Sequence, residues 1–132
     1  MILVDTSVLI GYFKGFKGNP YDKIDSLIDQ NIPMGICNQI YQEVLQGAKN
    51  KIEFDILKEY LNIMDFYDLL YGKKSYEDAA LLYFKCRKAG VTTRSTIDLI
   101  IAQTAIDNNL LLLHNDKDFV QISQINPSLK LL

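Results

Sequence analysis

The opening segment, Met1–Val4 followed by Asp5, is the feature that most restricts how this chain can fold. A short, uninterrupted apolar run with β-branched members is typical of a strand that is buried on both faces of a sheet. The hydroxyl residues Thr6 and Ser7 and a further apolar stretch follow at once, so we expect a helix directly after the strand. Such a strand delivers the Asp5 carboxylate to the carboxyl edge of a sheet, where open α/β sheets bind their ligands.

Further strands alternate with helical patterns along the rest of the chain. Ile32–Cys37 and Leu110–Leu113 are predicted as buried strands, and shorter strands are predicted at Ile63–Phe66 and Leu129–Leu132. Between them, apolar residues recur at the spacing of amphipathic helices. The alternation indicates one α/β domain, residues 1–132, with a mostly parallel sheet that is covered by helices on both faces.

Capping residues predict where several helices begin. Asn19 before Pro20 favours a helix with asparagine as its N-cap and proline at its first position. Three pairs have the spacing of a capping box: Asn50 with Glu53, Ser75 with Asp78, and Ser95 with Asp98. The helix after residue 50 carries an apolar stripe made of Ile52, Ile56, Leu57, Tyr60 and Leu61.

Composition excludes several classes of protein. The 132 residues are 48% hydrophobic and 23% charged, which is ordinary for a globular domain. Because no apolar run is long enough to span a bilayer and no signal-peptide pattern opens the chain, we expect a cytoplasmic protein with no membrane association. Cys37 and Cys86 are expected to be reduced core residues. The net charge of −2 does not indicate nucleic-acid binding, but an acidic site can mask a local basic patch.

Acidic residues stand beside several of the predicted strands. Asp5 ends the first, Glu43 lies in the helix after the second, and Asp116 and Asp118 follow the third. Residues just after parallel strands meet at one edge of the sheet, so these acids are expected to lie close together. Asp98 joins them if the loop before its helix returns over that edge.

Each acid also has a purely structural explanation. Asp5, Asp98 and Asp116 all stand where aspartate commonly caps a helix or turn. Glu43 lies too deep in its helix to cap it and has apolar neighbours, although a nearby glutamine face leaves a solvated position open. As a group, however, the carboxylates would repel one another unless a cation lay among them. A carboxylate site without Cys or His suits Mg²⁺ or Mn²⁺, ions that commonly serve phosphoryl chemistry.

Four motifs in order make the chain resemble PIN-domain ribonucleases, and most closely the VapC toxins of VapBC toxin–antitoxin modules. They are Met1–Ile10, Gln39–Gly47, Asp98–Ala102 and Asn115–Phe119, and the resemblance covers essentially the whole chain. It implies a three-layer α/β/α fold and a metal-dependent endoribonuclease that acts on RNA. It also implies a cognate antitoxin that inserts a segment over the active site, and a homodimer.

The resemblance assigns roles to the acids. Asp5, Glu43, Asp98 and Asp116 match the family's four acids in chain order, and Asp118 matches an acid that often accompanies the fourth. Asp5, Asp98 and Asp116 are expected to hold Mg²⁺ (or Mn²⁺), directly or through water. Glu43 is expected to help hold the ion, or to orient and deprotonate the attacking water.

Three polar residues are assigned supporting positions or left open. Ser7 matches a small polar residue that supports the first acid by hydrogen bonding, and Thr6 is a second supporting candidate. His114 departs from the family, where similar sequences usually carry threonine. As the only histidine, it is either a strand-end residue bonded to the backbone or a group that titrates beside the acids.

Basic residues in loops and at helix ends are the candidates for RNA contact. Arg94 and Lys117 are favoured because they adjoin Asp98 and Asp116 in sequence. The others are Lys14, Lys17, Lys49, Lys51, Lys73 and Lys74, for which a generic solvated surface explains the charge equally well.

Two other functions fit the same sequence. One is a PIN-type nuclease for RNA processing or flap-like DNA, which toxicity on expression and its relief by a neighbouring gene product would distinguish from a toxin. The other is a catalytically silent binding module, which four occupied acid positions argue against.

Overall fold

The computed structural model describes residues 1–92 and 95–132, which together form five strands and seven helices. The strands are β1 (Ile2–Val4), β2 (Met34–Ile36), β3 (Asp65–Phe66), β4 (Leu111–Leu113) and β5 (Lys130–Leu131). The helices are α1 (Thr6–Phe13), α2 (Asp22–Asp29), α3 (Asn38–Gln46), α4 (Lys51–Leu61), α5 (Lys73–Lys88), α6 (Thr96–Asp107) and α7 (Lys117–Ile125).

The strands form one parallel sheet in the order β3-β2-β1-β4-β5. The helices flank this sheet, so the predicted α/β/α fold is confirmed. From β1 the chain runs outward through β2 and β3, then returns to the other side of β1 as β4. The order therefore reverses beside β1, and the crevice at such a switch point is where open sheets bind ligands.

The central strands are buried where they reach the carboxyl edge of the sheet. Leu3 and Val4 of β1 and Leu112 and Leu113 of β4 have no exposed surface. Removing one such side chain from water stabilises the fold by about 1.5–3 kcal/mol. The residues that follow these strands thus leave the sheet from a buried backbone.

Two of the predicted helix caps are confirmed, and two helices begin differently. Asn50 accepts a hydrogen bond from Glu53 N (2.9 Å), and Ser95 accepts one from Ile97 N (3.0 Å). The prediction for Asn19–Pro20 was wrong, because the chain makes a turn there and α2 starts at Asp22 without a side-chain cap. Ser75 is likewise no cap.

A tertiary partner explains why Ser75 fails as a cap. Its hydroxyl group donates to Asp107 Oδ2 (2.6 Å) at the end of α6 and accepts from Tyr71 N (3.0 Å). Helix α5 already begins at Lys73, and Ser75 is completely buried within it.

The apolar stripe predicted on α4 is only half buried. Leu57 and Leu61 pack into the core, whereas Ile52 is 74% exposed and Ile56 is 61% exposed. Helix spacing was therefore correct, but the stripe is wider than the surface it packs against.

Two expectations from composition can be compared with the structure. In the part of the chain that is described, no helix has both the length and the apolar character needed to cross a membrane. Cys37 and Cys86 are buried and unpaired, as predicted.

Candidate active site

The candidate site lies where β1 and β4 end side by side. Val4 pairs in register with Leu113, and Asp5 N donates to Leu113 O (2.9 Å). The next residues, Asp5 and His114, therefore leave the sheet at the same edge, beside the point where the strand order reverses.

Asp5 is a helix cap as well as an acid of this edge. Asp5 is only 5% exposed, and its Oδ2 accepts hydrogen bonds from Ser7 N (3.0 Å) and Ser7 Oγ (2.6 Å). Ser7 Oγ in turn accepts a hydrogen bond from Asn115 N (3.0 Å). One hydroxyl group thus ties the end of β1 to the loop that follows β4.

Three other carboxylates form a compact group. Asp98, Asp116 and Asp118 each offer a carboxylate oxygen, and these oxygens all lie within 4.8 Å of one another. Asp98 lies in the first turn of α6, while Asp116 caps α7 by accepting a hydrogen bond from Asp118 N (2.9 Å). Asp118 is only 4% exposed, so two helix N-termini deliver acids to one place.

Glu43 approaches from α3 and is held by Thr6. Thr6 Oγ1 donates a hydrogen bond to Glu43 Oε1 (2.8 Å), across 37 residues of sequence. The side chain is half-buried. Burial raises the pKa of Glu43, the Thr6 hydrogen bond opposes that rise, and the charge of Asp5 adds to it.

Burial, with mutual repulsion added to it, raises the pKa values of the acids. Burial raises the pKa of Asp98 to about 6, and the charges of Asp5, Asp116, Glu43 and Asp118 contribute in that order. Burial likewise raises the pKa of Asp5, against the hydrogen bonds from Ser7. Asp5 and Glu43 stand outside the 4.8 Å group of described residues but are electrostatically coupled to it.

The donor set fits a hard divalent cation. The group consists of carboxylates alone, which are the ligands that Mg²⁺ and Mn²⁺ prefer. A cation would also offset the repulsion that, after burial, helps to raise the pKa of Asp98.

The remaining candidate residues are His114 and the two basic residues favoured for RNA contact, Lys117 and Arg94. His114 Nδ1 accepts a hydrogen bond from Asp116 N (3.1 Å), and burial lowers the pKa of the imidazole. Lys117 is exposed at the start of α7, next to Asp116 and Asp118. Arg94 lies outside the described residues, so its predicted contact with RNA stays a prediction.

Sequence reasoning missed a contact between Asn115 and Tyr21. Asn115 Nδ2 donates to Tyr21 OH (3.0 Å), which joins the site loop to the segment between α1 and α2. The Tyr21 ring lies against Gly11 of α1, and a Cβ at that glycine would overlap it. Asn115 belongs to a recognised motif, but no local pattern singles out Tyr21, because the contact spans 94 residues.

Comparisons with known proteins agree with this geometry. The family described as PIN domain matches residues 2–125. VapC ribonuclease Mb1587 of Mycobacterium bovis and ribonuclease VapC11 of Mycobacterium tuberculosis are each 30% identical over 132 residues, which is 95% of this chain and 93% of theirs.

Solved structures share the fold at lower identity. The crystal structure of VapBC2 from Rickettsia felis bound to promoter DNA aligns with a TM-score of 0.75 at 21% identity, covering all of this chain and 98% of the other. DNA-bound VapBC from Salmonella typhimurium aligns with a TM-score of 0.77 at 16% identity, covering 99% and 96%.

Proposed function

The chain belongs to the PIN domain family, and from that premise we propose that it is a metal-dependent endoribonuclease, the toxin of a type II toxin–antitoxin module. The observation that carries the proposal is the group of Asp98, Asp116 and Asp118 at the sheet edge where Asp5 ends β1. The relatives named VapC ribonucleases supply the substrate class, RNA. All 132 residues act as one nuclease domain in this proposal.

Asp5, Asp98 and Asp116 hold the divalent ion in this proposal, directly or through water, and Asp118 joins them. The proposed ion is Mg²⁺ (or Mn²⁺), because both take oxygen ligands. When bound, the ion stabilises the negative charge that develops on the scissile phosphate and makes a water molecule easier to deprotonate.

Glu43 is the residue we assign to the attacking water. Its raised pKa reflects a carboxylate that holds a proton more readily than a solvated one, which suits a general base. The hydrogen bond from Thr6 fixes one carboxylate oxygen, so the other is presented in a defined direction. Glu43 also adds negative charge that helps to retain the ion.

Lys117 and Arg94 are proposed to contact the RNA backbone next to the acids. Lys117 is exposed at the start of α7. Among the other candidates, Lys51 and Lys74 already form ion pairs with Asp55 and Asp78 on their own helices, which makes them weaker candidates.

The proposed partners follow from the toxin assignment. A cognate antitoxin covers the active site, and the toxin forms a homodimer in the cytoplasm. Exposed apolar side chains, among them those of Ile52 and Ile56 on α4, supply surface for such contacts.

Sequencing of RNA 5′ ends after brief induction tests the function. Asp5→Asn removes one charge and keeps an oxygen that accepts from Ser7, so the fold is retained. Asp29→Asn, at the exposed end of α2, is the matched control. Wild type and Asp29→Asn should generate the same new RNA ends, and Asp5→Asn should generate none.

Purified protein separates the outcomes further. Cleavage of RNA that requires Mg²⁺ or Mn²⁺ and stops with EDTA supports the proposal. New ends from Asp5→Asn at the wild-type level would overturn the site assignment. Cleavage of flap-like DNA in preference to RNA, or no cleavage of either, would overturn the toxin function.

A further inference from the structure

His114 accepts a hydrogen bond from the backbone of the loop that carries Asp116 and Asp118. It follows β4 directly, and its Nδ1 accepts from the backbone N–H of Asp116 (3.1 Å). The half-buried ring makes a T-shaped contact with the ring of Phe119, with the centroids 5.6 Å apart, and Phe119 is completely buried in the first turn of α7. The imidazole is thus held by two contacts, the ring contact with Phe119 and the hydrogen bond from Asp116 N.

The hydrogen bond defines the chemical form of the ring. A nitrogen that accepts a hydrogen bond carries no proton, so the imidazole is neutral with its proton on Nε2. Nδ1 is therefore occupied by the backbone of the site loop and is not available as a ligand.

The loop contains two successive closures, in each of which a side chain accepts a hydrogen bond from the backbone N–H two residues later. In the first, His114 Nδ1 accepts from Asp116 N. In the second, Asp116 Oδ1 accepts from Asp118 N (2.9 Å). Asp116 is held in an extended conformation (φ −140°, ψ 120°) between them. The pair of closures sets the path of the chain that carries two carboxylates of the 4.8 Å group.

We propose that His114 is a positioning residue of the metal site: its neutral imidazole fixes the backbone of Asp116 so that Asp116 and Asp118 meet Asp98 before the ion arrives. The inference rests on the proposed metal role of these acids. Without the closure, the loop would have to be ordered when the ion binds, which weakens binding. The ring acts through Asp116 and does not touch the ion.

Two variants separate the acceptor from the ring. His114→Phe keeps a ring against Phe119 and removes the acceptor. His114→Asn removes the ring and keeps an acceptor, because an asparagine oxygen readily bonds the N–H two residues on. Mn²⁺ affinity of the purified protein is measured by electron paramagnetic resonance titration, with the melting temperature of each variant as a check on folding.

We expect His114→Phe to bind Mn²⁺ about tenfold more weakly than wild type, in the range found for residues that support metal ligands. His114→Asn should stay within about twofold of wild type, because it restores the closure. Saturating Mn²⁺ should return His114→Phe to the wild-type kcat. Electron spin echo spectra of Mn²⁺ bound to wild type should show no ¹⁴N coupling from a ligating imidazole.

Each contrary result has a distinct meaning. Wild-type Mn²⁺ affinity in His114→Phe, or equal losses in both variants, would overturn the positioning role. A ¹⁴N coupling would show that His114 is a ligand and would overturn it as well. Asp116→Asn is measured beside them: if it binds Mn²⁺ like wild type, the proposed metal site itself fails, whatever the histidine variants do.

Discussion

The carboxylate of Asp5 caps α1 and adds negative charge to the site at the same time. Ser7 makes this possible, because its backbone N–H and hydroxyl group both donate to one oxygen of Asp5. The acid is held in place within a buried environment, although burial still raises its pKa. Capping and ligand binding compete as explanations of an aspartate in a sequence, but the geometry of Asp5 is compatible with both.

Asp98 should make the metal-free protein sensitive to pH. Its pKa lies at about 6 in the folded protein, above the ordinary value of 3.8, so the folded state holds this proton more tightly than the unfolded state. The stability it contributes is fully present below pH 3.8 and is lost as the pH rises through about 6.

Asp98→Asn cannot ionise and should avoid this loss. Relative to wild type, the metal-free variant should gain about 1 kcal/mol in its free energy of unfolding between pH 4.5 and pH 7.5, a figure that allows for solvent screening of a half-buried group. Urea unfolding at several pH values in EDTA measures the difference, with Asp29→Asn as the exposed control. Parallel pH profiles for wild type and Asp98→Asn would contradict the raised pKa of Asp98, which burial and the neighbouring acids cause.

At the scale of elements, α1 links the site loop to the rest of the fold. Gly11 allows the Tyr21 ring to lie against the helix, and Tyr21 OH accepts from Asn115 in the site loop. A Cβ at Gly11 would lie 2.8 Å from Tyr21 Cζ and 2.9 Å from Phe16 Cδ2, closer than carbon atoms approach.

Gly11→Ala should therefore destabilise the protein. Alanine is favoured over glycine in a helix by about 1 kcal/mol, but forcing a methyl group into this contact costs about 1–3 kcal/mol. We expect a net loss of about 1 kcal/mol in the free energy of unfolding, with weaker Mn²⁺ binding because Asn115 loses its partner. Gly47→Ala, where the nearest atom would be Val44 O at 3.4 Å, is the matched control and should be neutral or slightly stabilising. Equal stability of Gly11→Ala and Gly47→Ala would contradict the contact.

The two sides of the α4 stripe should respond differently to substitution. Leu61→Ala removes a completely buried side chain and should cost about 2–5 kcal/mol of unfolding free energy. Ile56→Ser changes an exposed side chain and should alter stability by less than about 0.5 kcal/mol. Chemical unfolding of the isolated protein checks both. A loss of several kcal/mol in Ile56→Ser would place that residue in the core instead.

Over the whole molecule, the sheet and its acidic edge could be predicted because they depend on strong local patterns. Continuous apolar runs predicted β1 and β4. Because neighbouring parallel strands end at the same edge of a sheet, the acids that follow these two strands were expected to lie together. Contacts between distant segments had no such signal. The Ser75–Asp107 hydrogen bond overrode a good capping pattern, and the Tyr21–Asn115 contact left no trace in either local sequence.

The acidic group shows the same limit. Asp98 could be placed at the edge only conditionally, because its position depends on how the chain returns before α6. The direction of a loop cannot be predicted from its local sequence. The resemblance gives Asp118 only as an acid that accompanies the fourth, yet its oxygen lies within 4.8 Å of those of Asp98 and Asp116. The helical turn from Asp116 to Asp118 brings it there, since the cap hydrogen bond links the two residues.

The account depends on a divalent ion held by these carboxylates, and anomalous diffraction at the manganese absorption edge tests that claim most directly. Crystals of wild type and Asp98→Asn would be soaked at the Mn²⁺ concentration that supports RNA cleavage. We expect an anomalous peak bonded to oxygens of the Asp98, Asp116 and Asp118 group in wild type, and a lost or much weaker peak in Asp98→Asn. Manganese bound elsewhere in wild type, with none among these three carboxylates, would contradict it.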